Sequence, residues 1–185
     1  MRTFLSPGGR LELGDLVPSR ALTSTTGETI EFPSQVGLTH IQFRRYAGCP
    51  FCNLHLRSLT ARHAEITAAG INEVVVFHST AEDLLAYNEP TPFPVVADPR
   101  RALYREFGVE PSWRAVAHPR AWGPMMRAVA TKRRPLGGDH GSGHLGVPAD
   151  FLINPEGRVI AAKYGEHAYD QWSVDELLEI AAAAA

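Results

Sequence analysis

Cys49 and Cys52 are the only cysteines in this 185-residue sequence, and they stand together as Cys49-Pro50-Phe51-Cys52. A disulfide that staples a domain works by closing a long loop, where the cross-link removes most chain entropy. The short ring of a C-x-x-C does little for a fold, so the pair reads as redox chemistry or metal binding. The metal reading has a second half in His140 and His144, whose H-x3-H spacing completes a Cys2His2 zinc set. Against it, 88 positions separate Cys52 from His140, where a compact zinc finger has about 12–15. The glycines around both histidines also make a loop that would order a metal poorly. His144 precedes Pro148 by four residues, which gives the two histidines another role as bases or substrate contacts near the cysteines.

The elements around the cysteines decide which sulfur does what. Residues 37–46 place Thr39, Ile41 and Phe43 on one side with period two, which predicts a strand running into Gly48-Cys49-Pro50. Proline suits the first helical position, where its missing N–H has no partner to lose. From Pro50 to Ala69, Cys52, Leu56, Leu59, His63 and Ile66 form one helical stripe, closed at Gly70. His63 reads as a histidine at the core edge and His55 as a surface residue. Cys49 then meets the positive end of the helix dipole and its free N–H groups, which lower a thiol from about 8.5 towards 7. Arg44 and Arg45 lie on the approaching strand, and alternation sends one of them towards the sulfur. Cys52 falls on the apolar stripe. The spacing therefore predicts an exposed attacking Cys49 and a shielded resolving Cys52, the division that thiol–disulfide exchange uses.

The remaining elements complete an α/β order. Residues 73–78 (EVVVFH) predict a strand covered on both faces. A short helix over 79–87, a brief strand over 94–97 and a helix over 99–107 ending at Gly108 follow. Residues 149–153 and 158–163 form a hairpin around Asn154-Pro155-Glu156-Gly157, and the capping box Ser173/Glu176 opens a last helix. Residues 1–36 read as an N-terminal extension, with a hairpin of 21–23 and 29–32 and a candidate edge strand in 11–17. Residues 109–146 read as an insertion in a single domain spanning 1–185. The insertion carries a predicted helix over 119–131, a solvated basic turn at Lys132-Arg133-Arg134, and Trp113, Trp122, Met125 and Met126 as core or substrate-groove residues.

Composition excludes several classes. Hydrophobic residues make up 44% and charged residues 21%, the balance of an ordinary globular domain and not of a disordered chain. A net charge of −2 carries no basic excess for nucleic acid. No apolar run approaches the ~18 residues of a membrane span, and Pro7 interrupts the start before a signal-peptide core. The expected location is the cytoplasm, with no membrane or nucleic-acid partner.

A strand, C-x-x-C, a helix and a late Val147-Pro148 before a strand resemble the thioredoxin superfamily. By that resemblance Pro148 is the candidate cis-proline facing the active cysteine, and Val147 the residue whose backbone meets a substrate. Leu13-Gly14-Asp15-Leu16-Val17-Pro18 with Gly27 resembles the opening "GD-x-x-P…G" of peroxiredoxins. Pro94-Val95-Val96-Ala97-Asp98-Pro99-Arg100 through Tyr104-x-x-Phe107-Gly108-Val109 resembles their "D-x-x-…-Y-G-V" helix, and Phe151-Leu152-Ile153-Asn154-Pro155-Glu156-Gly157 their "F-L-I-D-x-x-G". Gly48-Cys49-Pro50-Phe51-Cys52 is similar to the peroxiredoxin-like branch of the alkyl hydroperoxide reductase/thiol-specific antioxidant superfamily, whose members carry C-x-x-C where peroxiredoxins have one cysteine.

The resemblance implies a thioredoxin-like fold, with a central mixed sheet flanked by helices, and an enzyme that reduces hydroperoxides or disulfides through a Cys49/Cys52 dithiol–disulfide cycle. It adds Val147, Pro148 and, in place of the family Thr, Tyr46 as supporting residues, beside Arg44, Arg45 and His144, which their positions in the chain suggest. The electron donor would be thioredoxin-like or glutathione. No bound organic cofactor is expected, since no Rossmann or P-loop glycine pattern opens a helix. A homodimer is left open. The chain departs from peroxiredoxins at three positions: Tyr46 stands for their Thr, Gln42 for their Pro, and Pro148 for the Arg that polarises peroxide. Two other readings stay open: a disulfide reductase without peroxidase activity, and a zinc-binding or redox-sensing module without turnover.

Overall fold

The computed structural model describes residues 9–109, 147–167 and 169–184. In chain order the described elements are β1 (Arg20–Thr23), β2 (Thr29–Phe32), β3 (Leu38–Arg44), α1 (Pro50–Ala61), α2 (His63–Ala68), β4 (Ile71–Phe77), α3 (Ala81–Tyr87), β5 (Val95–Ala97), α4 (Ala102–Glu106), β6 (Ala149–Ile153), β7 (Val159–Tyr164) and α5 (Val174–Ala183). All but residue 109 of the expected insertion lies outside the described residues, including His140, His144, the tryptophans at 113 and 122, and the basic turn.

The strand predicted before the cysteines is the middle one of a five-stranded mixed sheet, ordered β5-β4-β3-β6-β7. Its parallel partner β4 sets Ile41 beside Val74 and Arg44 beside Phe77. Its antiparallel partner β6 sets Ile41 beside Phe151 and Gln42 beside Asp150. A central strand is covered on both faces, and every residue of β3 after Leu38 is buried. One face packs Leu56, Leu59, Ile66 and Leu177 from α1, α2 and α5 against Val75, Phe77 and Leu152. The other packs Ile41, Phe43, Val76, Phe151 and Ile153 against Phe32, Tyr104 and Phe107. This is the expected α/β layering with a central mixed sheet flanked by helices.

Three local expectations are corrected. The single helix over 50–69 is two, because the Arg62 N–H closes onto the Leu59 carbonyl and ends α1. The Arg62 guanidinium binds Glu65 at 2.7 Å and Asp175 of the last helix at 2.5 Å. The candidate strand in 11–17 makes one bridge only, Leu16 with Arg158. The cis peptide bond found among the described residues joins Phe32 to Pro33 and not Val147 to Pro148. Pro148 instead leads straight into extended β6, and its carbonyl accepts the Gly165 N–H at 2.9 Å. A Cβ on Gly165 would come within 2.8 Å of that carbonyl oxygen, so only glycine allows the approach. No described helix is long and apolar enough to cross a membrane.

Candidate active site

The chain leaves β3 through Arg45, Tyr46, Ala47 and Gly48, and the structure pins each step of that turn. The Ala47 N–H donates to Ser79 Oγ and the Gly48 N–H to Asn88 Oδ1, both at 2.9 Å. Gly48 takes φ of 72°, a left-handed conformation that glycine adopts without a Cβ clash. The turn delivers Cys49 as the N-cap of α1, with Pro50 opening the helix. The Cys49 carbonyl accepts the first helical bond, from the Asn53 N–H at 3.0 Å.

Both cysteines are free thiols and both are buried. The expected exposed Cys49 is therefore corrected: it packs in one apolar cluster with Ala47, Phe51, Cys52 and Leu56, with Tyr46 against the cluster edge. Burial would push the Cys49 thiol up. The hydrogen bond from the Cys52 thiol, the Arg45 charge and the backbone N–H groups of Cys52 and Phe51 outweigh it, bringing the pKa down from 9.0 to about 7. Cys52 moves the other way, well above its ordinary value, through burial and the neighbouring Cys49. The asymmetry predicted from the helix N-terminus thus exists in charge, although not in exposure.

Strand alternation separates the two arginines. Arg45 turns to the cysteines, with a guanidinium nitrogen 3.9 Å from Cys49 Sγ and its backbone N–H 3.4 Å from Cys52 Sγ. Its guanidinium also lies 5.2 Å from the centre of the Tyr46 ring, a cation–π contact. Burial, and then the Cys49 charge, push the Tyr46 phenol up to about 12, so its hydroxyl keeps its proton and can donate. Arg44 turns the opposite way, under the helix. Val147 and Pro148 are buried at the head of β6, whose first residue, Ala149, pairs with Phe43. They therefore sit beside the Arg44–Arg45 end of β3.

Beneath α1 the sheet carries buried polar side chains that the sequence reading did not find. His40 Nδ1 lies 3.0 Å from both carboxylate oxygens of Glu73, and its Nε2 3.2 Å from Asp150 Oδ1. Arg44 donates to Asp150 Oδ1 at 2.7 Å and to Gln42 Oε1, and Gln42 Nε2 donates to Glu73. Burial alone would lower His40, but Glu73 and Asp150 together raise it from 6.5 to about 9. It is therefore a cation at neutral pH and donates from both nitrogens. Burial would raise the Asp150 carboxyl, but Arg44 and His40 hold it well below the usual carboxylate range. Two cations and two anions thus balance inside the protein. His55, expected on the surface, is buried on α1 above this network. Burial, then the Arg44 charge, push its pKa well below the ordinary value, so it is neutral.

Among the described residues no cluster of three or more histidine, cysteine or acidic side chains could hold a metal ion. His140 and His144, on which the zinc set depends, lie outside those residues.

The comparisons with known proteins agree with this architecture. The family model described as AhpC/TSA antioxidant enzyme matches residues 58–167, more than half of the chain. The chain belongs to the AhpC/TSA antioxidant enzyme family. The matched stretch begins after Cys52, so the cysteine turn stands on its own geometry. No curated protein sequence matches the chain. Among solved structures, peroxidoxin BcpB from Mycobacterium tuberculosis superposes with a TM-score of 0.67 at 17% identity, covering 94% of this chain and 98% of that one. The bacterioferritin comigratory protein of Xanthomonas campestris superposes at 0.62 with 17% identity, covering 89% and 91%. A DsbE protein from Chlorobium tepidum, assigned to thiol:disulfide interchange, superposes at 0.58 with 22% identity, covering 94% and 97%. These likenesses establish the thioredoxin-like fold. Family membership makes the chain a peroxiredoxin-like oxidoreductase.

Proposed function

We propose that this family enzyme works through a Cys49/Cys52 dithiol–disulfide cycle. The observation that carries the reading is the asymmetry of the pair: Cys49 is lowered to about 7 beside Arg45, and Cys52 is raised. The thiolate is the nucleophile, so Cys49 attacks first. With a hydroperoxide, the Cys49 sulfur takes the terminal oxygen, the O–O bond breaks and the alcohol or water leaves. Cys49 becomes a sulfenic acid. Cys52 then displaces that oxygen as water and closes the disulfide. An external thiol donor, thioredoxin-like or glutathione, returns the pair to the dithiol in a cytoplasmic, reducing setting. In this reading Arg45, 3.9 Å from Cys49 Sγ, and the Tyr46 hydroxyl donate to the departing oxygen as it gains charge. They take the part of the Arg and Thr that peroxiredoxins carry at the positions of Pro148 and Tyr46.

A second reading is a disulfide reductase. The apolar Val147–Pro148 segment, beside the end of β3 that leads into the cysteine turn, favours it, with the attack falling on a substrate sulfur. Stopped-flow oxidation of the reduced protein by hydrogen peroxide separates the two. A second-order rate orders of magnitude above that of a simple thiol of matched pKa supports peroxide reduction. A rate equal to that control, with fast reduction of a disulfide substrate, favours the second reading. In either case Cys49→Ser abolishes turnover while Cys52→Ser stalls after the first step. A Cys49→Ser protein that still turned over would overturn both.

A further inference from the structure

His55 is a buried imidazole to which the cycle above assigns nothing. It stands three residues after Cys52 on α1, and both side chains are buried. Residues three apart on a helix lie on one face, with Cβ atoms about 5–6 Å apart. Its Nε2 has no hydrogen-bond partner among the described residues. A buried polar atom left unpaired destabilises the fold, so such an atom calls for an explanation. The charged and titratable groups that face it come from three strands: His40 and Arg44 from β3, Asp150 from β6 and Lys163 from β7. Asp150 Oδ2, like His55 Nε2, is buried and without a hydrogen-bond partner among the described residues.

Cys52 has the complementary need. It must lose a proton before its sulfur can attack, and burial, the largest cause of its raised pKa, still opposes that loss once Cys49 is a neutral sulfenic acid. The Arg45 backbone N–H, 3.4 Å from Sγ, is in place to receive the thiolate once it forms. A neutral imidazole offers a lone pair on one ring nitrogen, and burial, then the Arg44 charge, keep His55 neutral until a proton arrives.

We propose that His55 accepts the Cys52 proton in the resolving step and that Asp150 holds the imidazolium that results. The proposal rests on the Cys49/Cys52 cycle given above. In that step the proton moves from Cys52 Sγ to His55 Nε2, and the thiolate attacks the sulfur of the Cys49 sulfenic acid. The S–S bond forms as the S–O bond breaks. The oxygen leaves with the electron pair and takes the proton back from His55 as water. The net change is one sulfenic acid and one thiol giving one disulfide and one water, the oxidising equivalent having come from the peroxide.

The test is a single-turnover reaction with one equivalent of hydrogen peroxide. Acid quench, a sulfenate-trapping dione and mass spectrometry follow Cys49 oxidation and disulfide formation as separate phases. In His55→Gln the oxidation phase stays within about twofold, while the disulfide phase at pH 7 slows about 100-fold or more, the range of a lost general base. The slow phase then rises about tenfold per pH unit, tracking the Cys52 thiolate, whereas the natural protein is flat from about pH 6 to 8. Equal disulfide rates in variant and natural protein overturn the role. So does parallel slowing of both phases, which a structural role would give. The profile of the natural protein tests the same point without any substitution: a disulfide rate proportional to hydroxide from about pH 6 to 8 overturns it. Persistence of the sulfenate in the natural protein, with no Cys49–Cys52 disulfide, would bring down the dithiol cycle and the His55 role with it.

Discussion

On one face of the central sheet β3 contributes Ile41 and Phe43, and on the other His40, Gln42 and Arg44, all buried. The first face is filled by aromatic rings: Phe43 lies 4.9 Å from Tyr104 and from Phe107, and Phe107 lies 5.1 Å from Phe151. Burying each such side chain contributes about 1.5–3 kcal/mol. The second face lies under the cysteine helix and spends its central positions on four matched charges, with the Trp172 ring 5.6 Å from His40. A buried ion pair is weak evidence for stability, because desolvation offsets the attraction. The contrast teaches that one face holds the sheet together, while the polar face is kept for what it does to the helix above it.

The largest effects should show this contrast directly. Phe151→Ala leaves a cavity and should cost about 3–5 kcal/mol, and Asp150→Ala leaves Arg44 and His40 uncompensated at a similar cost. Single changes therefore do not tell the faces apart. Replacing the whole set, as His40→Leu, Gln42→Leu, Arg44→Met, Glu73→Leu and Asp150→Leu, should return stability to that of the natural protein, or about 1–4 kcal/mol above it. Urea unfolding of the three variants measures this. A five-site variant as unstable as Asp150→Ala would mean that the charges themselves hold the sheet, and the contrast would fail.

The next effect is smaller and depends on pH. His40 is raised in the folded protein from 6.5 to about 9, so the protonated form is favoured by folding. Its contribution is complete below about pH 6.5 and is lost as the pH rises through about 9. At about 1.4 kcal/mol per pH unit the interval amounts to about 3 kcal/mol. The Tm of the natural protein should therefore fall between about pH 7 and 10, and that of His40→Gln should fall less. Parallel declines in both proteins would place the titrating group elsewhere.

The sequence made one face far more legible than the other. Thr39, Ile41 and Phe43 announced a strand by their period, and the β-branched run of β4 announced a strand covered on both sides. The capping box at Ser173 and Glu176 marked the start of its helix, and Gly70 follows α2, although the cysteine helix α1 itself stops at Ala61. Polar residues at 40, 42 and 44, by contrast, follow the pattern of a strand with one face in water. What contradicts that reading is the placement of β3 between two other strands under a helix, and the pairing that sets Gln42 beside Asp150 depends on contacts across more than a hundred residues. Glu73, ahead of the apolar run of β4, was the one local sign of a charge with nowhere to go but inward. His55 was misread as exposed because its stripe was judged by hydrophobicity, although it shares a face with Cys52. The peroxiredoxin motifs located the fold, but they could not say which arginine turns towards Cys49. That depended on strand parity at the end of β3.

Arg45 gives the finest test of the division, because it stands where the two regions meet. Its neighbour Arg44 serves the buried charges, while its own guanidinium lies 3.9 Å from Cys49 Sγ. Arg45→Met keeps the length and apolar stem and removes the charge. The Cys49 pKa should then rise from about 7 towards the ordinary 9.0, because burial is opposed only by the Cys52 thiol and the backbone N–H groups. At pH 7 the thiolate fraction falls, and alkylation by iodoacetamide should slow several-fold. Above the new pKa the rates of variant and natural protein should converge, since the loss is one of thiolate population and not of access. Arg44→Met should instead lower the Tm and leave the alkylation profile almost unchanged. If Arg44→Met moved the Cys49 profile as far as Arg45→Met does, the charges under the helix would reach the attacking sulfur directly. The polar face would then tune Cys49 as well as Cys52.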